Sequence, residues 1–215
     1  FMACASTEVR GRLKLRVEKD GQTLTYDLNT EGEYEVFPLQ LGSGSYVLSL
    51  YENVGGKKYA QQGGVSLDVS LAREDAAFLY PNQYVRYSEV SALVEMAEQL
   101  CDGMDEKQTY ETVCEFMTSE FVYDFVRALT VTAGELPDAD GSFEKRMGIC
   151  QDLSAVTAGM LRTMGIPARF IIGYADDNYH AWTQTNVNGN EELFDPTAAV
   201  GGITSVKIYS VERYY

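Results

Sequence analysis

At about residue 72 the hydrophobic period of this chain changes from two to roughly 3.6, and few folds accommodate both halves of that pattern. Before the change, Leu13, Leu15 and Val17 alternate with Arg12, Lys14 and Arg16, as in a half-buried strand with a charged outer face. Asp20-Gly21 marks a hairpin turn, and QTLTYDL returns from it. YEVFPL, SYVLSLY and KKYAQ read as further strands, and VSLDVSL sets Val65, Leu67, Val69 and Leu71 on one face. Six or seven short strands with no helical stretch predict a small all-β sandwich over 1–75. Residues 76–87 carry Phe78, Tyr80, Tyr84 and Tyr87 and read as a linker that docks.

From residue 88 to 215 helices come first. Ser88 can cap a helix bearing Val90, Leu93, Val94, Ala97, Leu100 and Cys101, with Gly103 ending it. Asp105 and Gln108 have capping-box spacing ahead of a second stripe, Tyr110, Val113, Cys114, Met117 and Phe121. Residues 126–148 are rich in Gly, Pro and Asp and read mostly as loop. A helix then runs from Cys150 through Leu153, Val156, Met160, Leu161 and Met164 and stops at Gly165. ARFIIGY, HAWTQTNV, EELFDPT and SVKIYSV follow as strands, with Asn188-Gly189 as a hairpin turn. The expectation for 88–215 is an α+β domain of helices and an antiparallel sheet.

Charge narrows the partners. The formal net charge is −15, of which residues 1–87 hold −2 and residues 88–215 hold −13. A domain this acidic repels phosphate backbones, so nucleic acid is not an expected partner. It weakly favours cationic partners such as lysine-bearing proteins, although a solvated acidic face also serves solubility. With one His, four Cys and no CxxC pair, neither a metal nor a cofactor is expected. Cys101 and Cys114 fall on apolar helix faces and read as buried free thiols. No stretch approaches the ~20 apolar residues that cross a bilayer. Phe1-Met2-Ala3-Cys4 resembles the end of a bacterial lipoprotein signal, which would place a lipid on Cys4 and the protein outside the cytoplasm, secreted or at the cell surface.

Three residues carry the chemistry. A thiol attacks carbonyls well as thiolate, and a helix N-terminus or a neighbouring His favours that form. Cys150 falls in the first turn of its helix, where free N–H groups also suit an oxyanion. His180 starts a strand, and Asp195 ends the next one across the Asn188-Gly189 turn. Adjacent antiparallel strands would bring the carboxylate to the imidazole, completing a Cys–His–Asp acyl-transfer set.

The stretch GICQDLSAVTAGMLRTMGIPARFIIGY, with HAW at 180–182, FDPT at 194–197 and VYDF at 122–125, resembles the transglutaminase-like superfamily. The resemblance covers 120–200 and implies a papain-like α+β fold, with Cys150 as nucleophile, His180 as base and Asp195 as orienter. It suggests Tyr123, Gln151, Tyr174 and Trp182 as cleft or oxyanion residues, and Arg169 as a support of the fold. The superfamily's calcium sites have no readable counterpart here, nor do the zinc clusters of its peptide N-glycanase branch. The expected activity is hydrolysis or transfer at protein or peptide amides, with water or a lysine amine as acceptor. Two other readings stay open: a non-catalytic surface binding protein on the same scaffold, and an arylamine acetyltransferase, whose motif contexts fit less well.

Overall fold

The computed structural model describes residues 2–4, 11–30, 32, 34–205 and 207–215, the first three through their backbone alone. The Cys4 side chain, on which the lipid expectation falls, lies outside the described residues. Two compact units divide the chain between Ala77 and Phe78.

The first unit contains β1 (Met2–Cys4), β2 (Leu13–Lys19), β3 (Gln22–Leu28), β4 (Glu35–Phe37), β5 (Gly44–Gly55) and β6 (Lys58–Val69). Four of these strands form an antiparallel sheet in the order β3-β2-β5-β6, and β1 pairs with β4. Asp20 and Gly21 take φ values of 49° and 79°, as a two-residue hairpin turn between right-twisted strands requires. The alternating residues Leu13, Leu15, Val17, Tyr26 and Leu48 are buried, so the sequence pattern maps directly onto the core face. KKYAQ and VSLDVSL, read separately above, are one continuous strand, β6. It lies at the sheet edge, paired with β5 on one side only, and its Val65 stays 56% exposed.

The second unit holds α1 (Ala92–Cys101), α2 (Glu106–Glu120), β7 (Val122–Tyr123), α3 (Phe125–Thr130), α4 (Ala139–Lys145), β8 (Met147–Gly148) and α5 (Cys150–Thr163). These are followed by β9 (Ala168–Ala175), β10 (Asn178–Val187), β11 (Asn190–Phe194), α6 (Pro196–Val200) and β12 (Tyr209–Tyr214). The last four strands form an antiparallel sheet in the order β11-β10-β9-β12. α5 is the centre of the unit: all residues from Asp152 to Arg162 are buried, between α1, α2 and α4 and the strands β9 and β10.

Arg162 closes this core. Its buried guanidinium donates to the carbonyls of Ala168 (2.8 Å), Tyr80 (2.7 Å) and Tyr215 (2.9 Å). One cation thereby holds the start of β9, the segment before α1 and the chain end. Arg169 lies over the Phe78 and Tyr214 rings at 5.0 and 5.4 Å, a packing role.

Several local expectations need correction. α1 starts at Ala92, because Ser91 Oγ accepts from Ser88 N (2.9 Å) and donates to Asp140 (3.1 Å), closing a turn that leaves Val90 93% exposed. The supposed loop at 126–148 contains α4 and most of α3. Each begins at an aspartate whose side chain accepts an N–H three residues on: Asp124 from Arg127 and Asp138 from Gly141. The last strand begins at Tyr209 rather than Ser205.

Candidate active site

Cys150 is the first residue of α5, half-buried, after an extended Ile149. Three segments build this helix start. Asp152, fully buried, accepts from Ile149 N (3.2 Å) and Asp138 N (3.0 Å). Its carboxylate also receives Arg127 Nε (2.7 Å) and Nη2 (3.3 Å), and Arg127 Nη1 reaches Glu135 (2.6 Å). Gly148 supplies the close approach, since a Cβ there would sit 2.8 Å from Asp152 Cβ and 3.0 Å from Ser142 Oγ. The glycine two residues before the cysteine is therefore a packing requirement.

His180 and Asp195 meet as the strand argument anticipates. His180, on β10, pairs with Gly173 of β9. Asp195 follows the end of β11, where Phe194 pairs with Thr183 of β10. His180 Nε2 donates to Asp195 Oδ2 at 2.9 Å, with both side chains nearly buried. This leaves Nδ1 as the ring nitrogen available to the Cys150 thiol. Burial alone would lower the His180 pKa. The bonds to Asp195 and Cys150 and their negative charges outweigh it, and push the imidazole up to about 9. For Asp195, burial opposes ionisation, but the His180 bond and charge, Ala198 N and Tyr209 hold it well below the usual carboxylate range.

Asp195 has further partners that sequence reasoning missed. Oδ1 accepts from Ala198 N (3.0 Å), so the aspartate caps α6, with Pro196 in the first helical position. Tyr209 Oη donates to Oδ2 at 2.8 Å, and Lys207 Nζ lies 3.4 Å from it. No local signal marks these two residues, because their reach depends on how β12 pairs with β9. Trp182 is buried, its ring 6.4 Å from His180 and 5.0 Å from Tyr209. Gly173 makes room for that cluster: a Cβ there would collide with Ser210 O and sit 2.9 Å from the Trp182 ring.

The remaining sequence candidates take different positions. Tyr123 pairs with Gly148 across the parallel β7–β8 bridge, and burial first, then the charge of Cys150, raises its phenol pKa. Gln151 turns outward and donates to Glu135 O at 3.3 Å. Tyr174 pairs with Tyr179 and packs edge-on against it, ring centroids 5.6 Å apart. Strand alternation puts both on the opposite face from His180. Among the described residues, no three His, Cys, Asp or Glu side chains gather as a metal-ligand set.

The arrangement can hold a thiol beside an imidazole whose far nitrogen is fixed by a carboxylate. Comparison with known proteins agrees with the fold. The family described as the transglutaminase-like superfamily matches residues 95–191. A candidate cysteine protease from Cytophaga hutchinsonii is similar in structure, with TM-score 0.51 and 17% identity over 96% of this chain and 73% of that one. The periplasmic domain of TgpA from Pseudomonas aeruginosa aligns with TM-score 0.48 and 13% identity, over 93% of this chain and 92% of that one. No curated protein matches the sequence significantly.

Proposed function

We propose that this chain, whose residues 95–191 match the transglutaminase-like superfamily, is a cysteine-dependent acyl enzyme acting on protein or peptide amides. The observation that carries the reading is the 2.9 Å His180–Asp195 pair, at the helix start that bears Cys150. In this reaction the Cys150 thiolate attacks the amide carbonyl, forming a C–S bond while the carbonyl electrons move to oxygen. Free N–H groups at the start of α5 are suited to that oxyanion. On collapse, the C–N bond breaks and the amine leaves with the proton from the His180 imidazolium. Neutral His180 then deprotonates the acceptor that resolves the thioester. Water gives hydrolysis, and an amine such as a lysine gives transfer. Hydrolysis is the favoured outcome, because excluding water needs an enclosed tunnel and Cys150 is only half-buried.

The test is the pH dependence of Cys150 alkylation by iodoacetamide, with Cys4, Cys101 and Cys114 replaced by Ser. A thiolate that reacts at neutral pH and loses at least about tenfold in rate at pH 6–7 in His180→Ala supports the reading. Equal rates in the two proteins would sink it and turn attention to a binding role.

A further inference from the structure

Next to Cys150 lies an apolar surface that the core does not use. α3 buries none of its six residues: Phe125 is 75% exposed, Val126 74% and Leu129 89%, and Val122 on the neighbouring strand is 57% exposed. A helix this short does not persist by itself. Here the anchors are polar. Asp124 caps the helix, Asp124 N donates to Gly148 O (2.9 Å), and Arg127 binds Asp152, two residues from Cys150. The Phe125 ring packs 5.1 Å from that of Tyr123, which itself pairs with Gly148. The protein thus holds a solvent-facing apolar helix against the segment that delivers the nucleophile.

We propose that this α3 surface is a specificity element that docks an apolar side chain of the peptide being attacked, so that the preferred substrates carry Leu- or Phe-like residues beside the reacting amide. The proposal rests on the acyl-enzyme reading. Once a carbonyl is within bonding distance of Cys150, the flanking chain advances only about 3.3 Å per residue. A chain that runs from Cys150 past Gly148, the strand partner of Tyr123, brings its first few side chains to β7 and α3, where exposed apolar groups offer burial to an apolar partner and nothing to a polar one.

The experiment compares peptidyl vinyl sulfones that differ only in Leu or Ser at the first and second positions before the electrophile. Wild type is set against Val126→Ser/Leu129→Ser, whose exposed side chains make none of the hydrogen bonds of the helix start. In wild type the Leu probe should label Cys150 about tenfold faster than the Ser probe at one of the two positions, the scale expected for a side chain entering an apolar site. In the double variant that preference should fall to near unity, while iodoacetamide labels Cys150 at the wild-type rate. Equal rates for the two probes in wild type, or a preference that survives in the variant, would overturn the proposal. So would a variant that alters only self-association in sedimentation, since the surface would then serve a second copy. Loss of iodoacetamide reactivity in wild type itself would instead count against the acyl-enzyme reading.

Discussion

Asp195 divides its two oxygens between structure and chemistry: Oδ1 caps α6, while Oδ2 receives His180, Tyr209 and Lys207. The donors that share Oδ2 compete for its charge. Tyr209→Phe should leave the ring beside Trp182 but remove one donor, so Asp195 binds the imidazolium more strongly. A hydrogen bond to an ionised carboxylate is worth about 1.5–3 kcal/mol, so kcat/KM should drop by about ten- to a hundredfold, with the alkaline limb of its pH profile moving upward. An unchanged limb would assign Tyr209 to packing alone. In wild type that limb should fall near pH 9, where the imidazolium loses the proton it gives to the leaving amine. Iodoacetamide alkylation, which needs no proton from His180, should not decline there. The stability sign follows from the same shift. The His180 pKa is raised by folding, from 6.5 to about 9, so its contribution is fully present below pH 6.5 and lost as pH rises through 9. Asp195 is depressed, so its contribution is present above its ordinary value near 3.8 and lost at lower pH. Urea midpoints at pH 2.5, 4, 6 and 9.5, for wild type, His180→Gln and Asp195→Asn, would register both trends. The residues of the proposed triad are legible because each sits inside a short local pattern. Tyr209 and Lys207 are not legible, because their positions depend on a strand pairing that shifts register between Val211 and Arg213.

The N-terminal turn of α5 shows how an element can be readable while its support is not. Its apolar stripe and its stop at Gly165 follow from periodicity and capping rules, but nothing near Cys150 in sequence reveals that Arg127 ends on Asp152. That pair joins two elements through a segment that reads as loop, since α3 and α4 are too short to show a helical stripe. Their one local signal is the aspartate that opens each, three residues before the N–H it accepts. Asp152 bears the larger consequence. Replacing it with Ala would leave the partly buried Arg127 guanidinium without its main partner and the Ile149 and Asp138 N–H groups without theirs. Breaking buried pairs of this kind typically costs about 3–5 kcal/mol. The expected outcome for Asp152→Ala is a fall in urea-unfolding free energy at the upper end of that range, together with slower Cys150 alkylation as the helix start loosens. Arg127→Lys should retain part of the stability, because a single ammonium cannot reproduce the two-pronged contact. If Asp152→Ala unfolds at the wild-type urea concentration, the carboxylate is not what holds the turn.

At the scale of the molecule, the change of period near residue 72 and the division between Ala77 and Phe78 fall close together, but the ten residues after the division belong with the helices. Phe78 and Val85 are buried, Tyr84 stacks on Tyr215 with centroids 3.7 Å apart, and Tyr80 O accepts from Arg162. Phe78, Tyr80, Tyr84 and Tyr87 mark the segment as one that docks, yet no periodicity says which core receives it. The partner is Arg162, 82 residues on from Tyr80, and so long a reach leaves no local trace. A fragment of residues 78–215 should therefore fold cooperatively and keep a reactive Cys150. A fragment of residues 88–215 removes the Tyr80 carbonyl from the buried guanidinium and the Tyr84 ring from Tyr215. A hydrogen bond to a charged group is worth about 1.5–3 kcal/mol, and the lost aromatic and aliphatic burial adds a similar amount for each large side chain. Domains of this size hold about 5–15 kcal/mol in total, so the shorter fragment should be largely unfolded or aggregated at 25 °C. Circular dichroism melts and Cys150 alkylation of the two fragments decide the matter. Equal melting of both would mean that residues 78–87 contribute little to this core. Failure of the longer fragment alone to fold would mean that the helical unit depends on the strands before it.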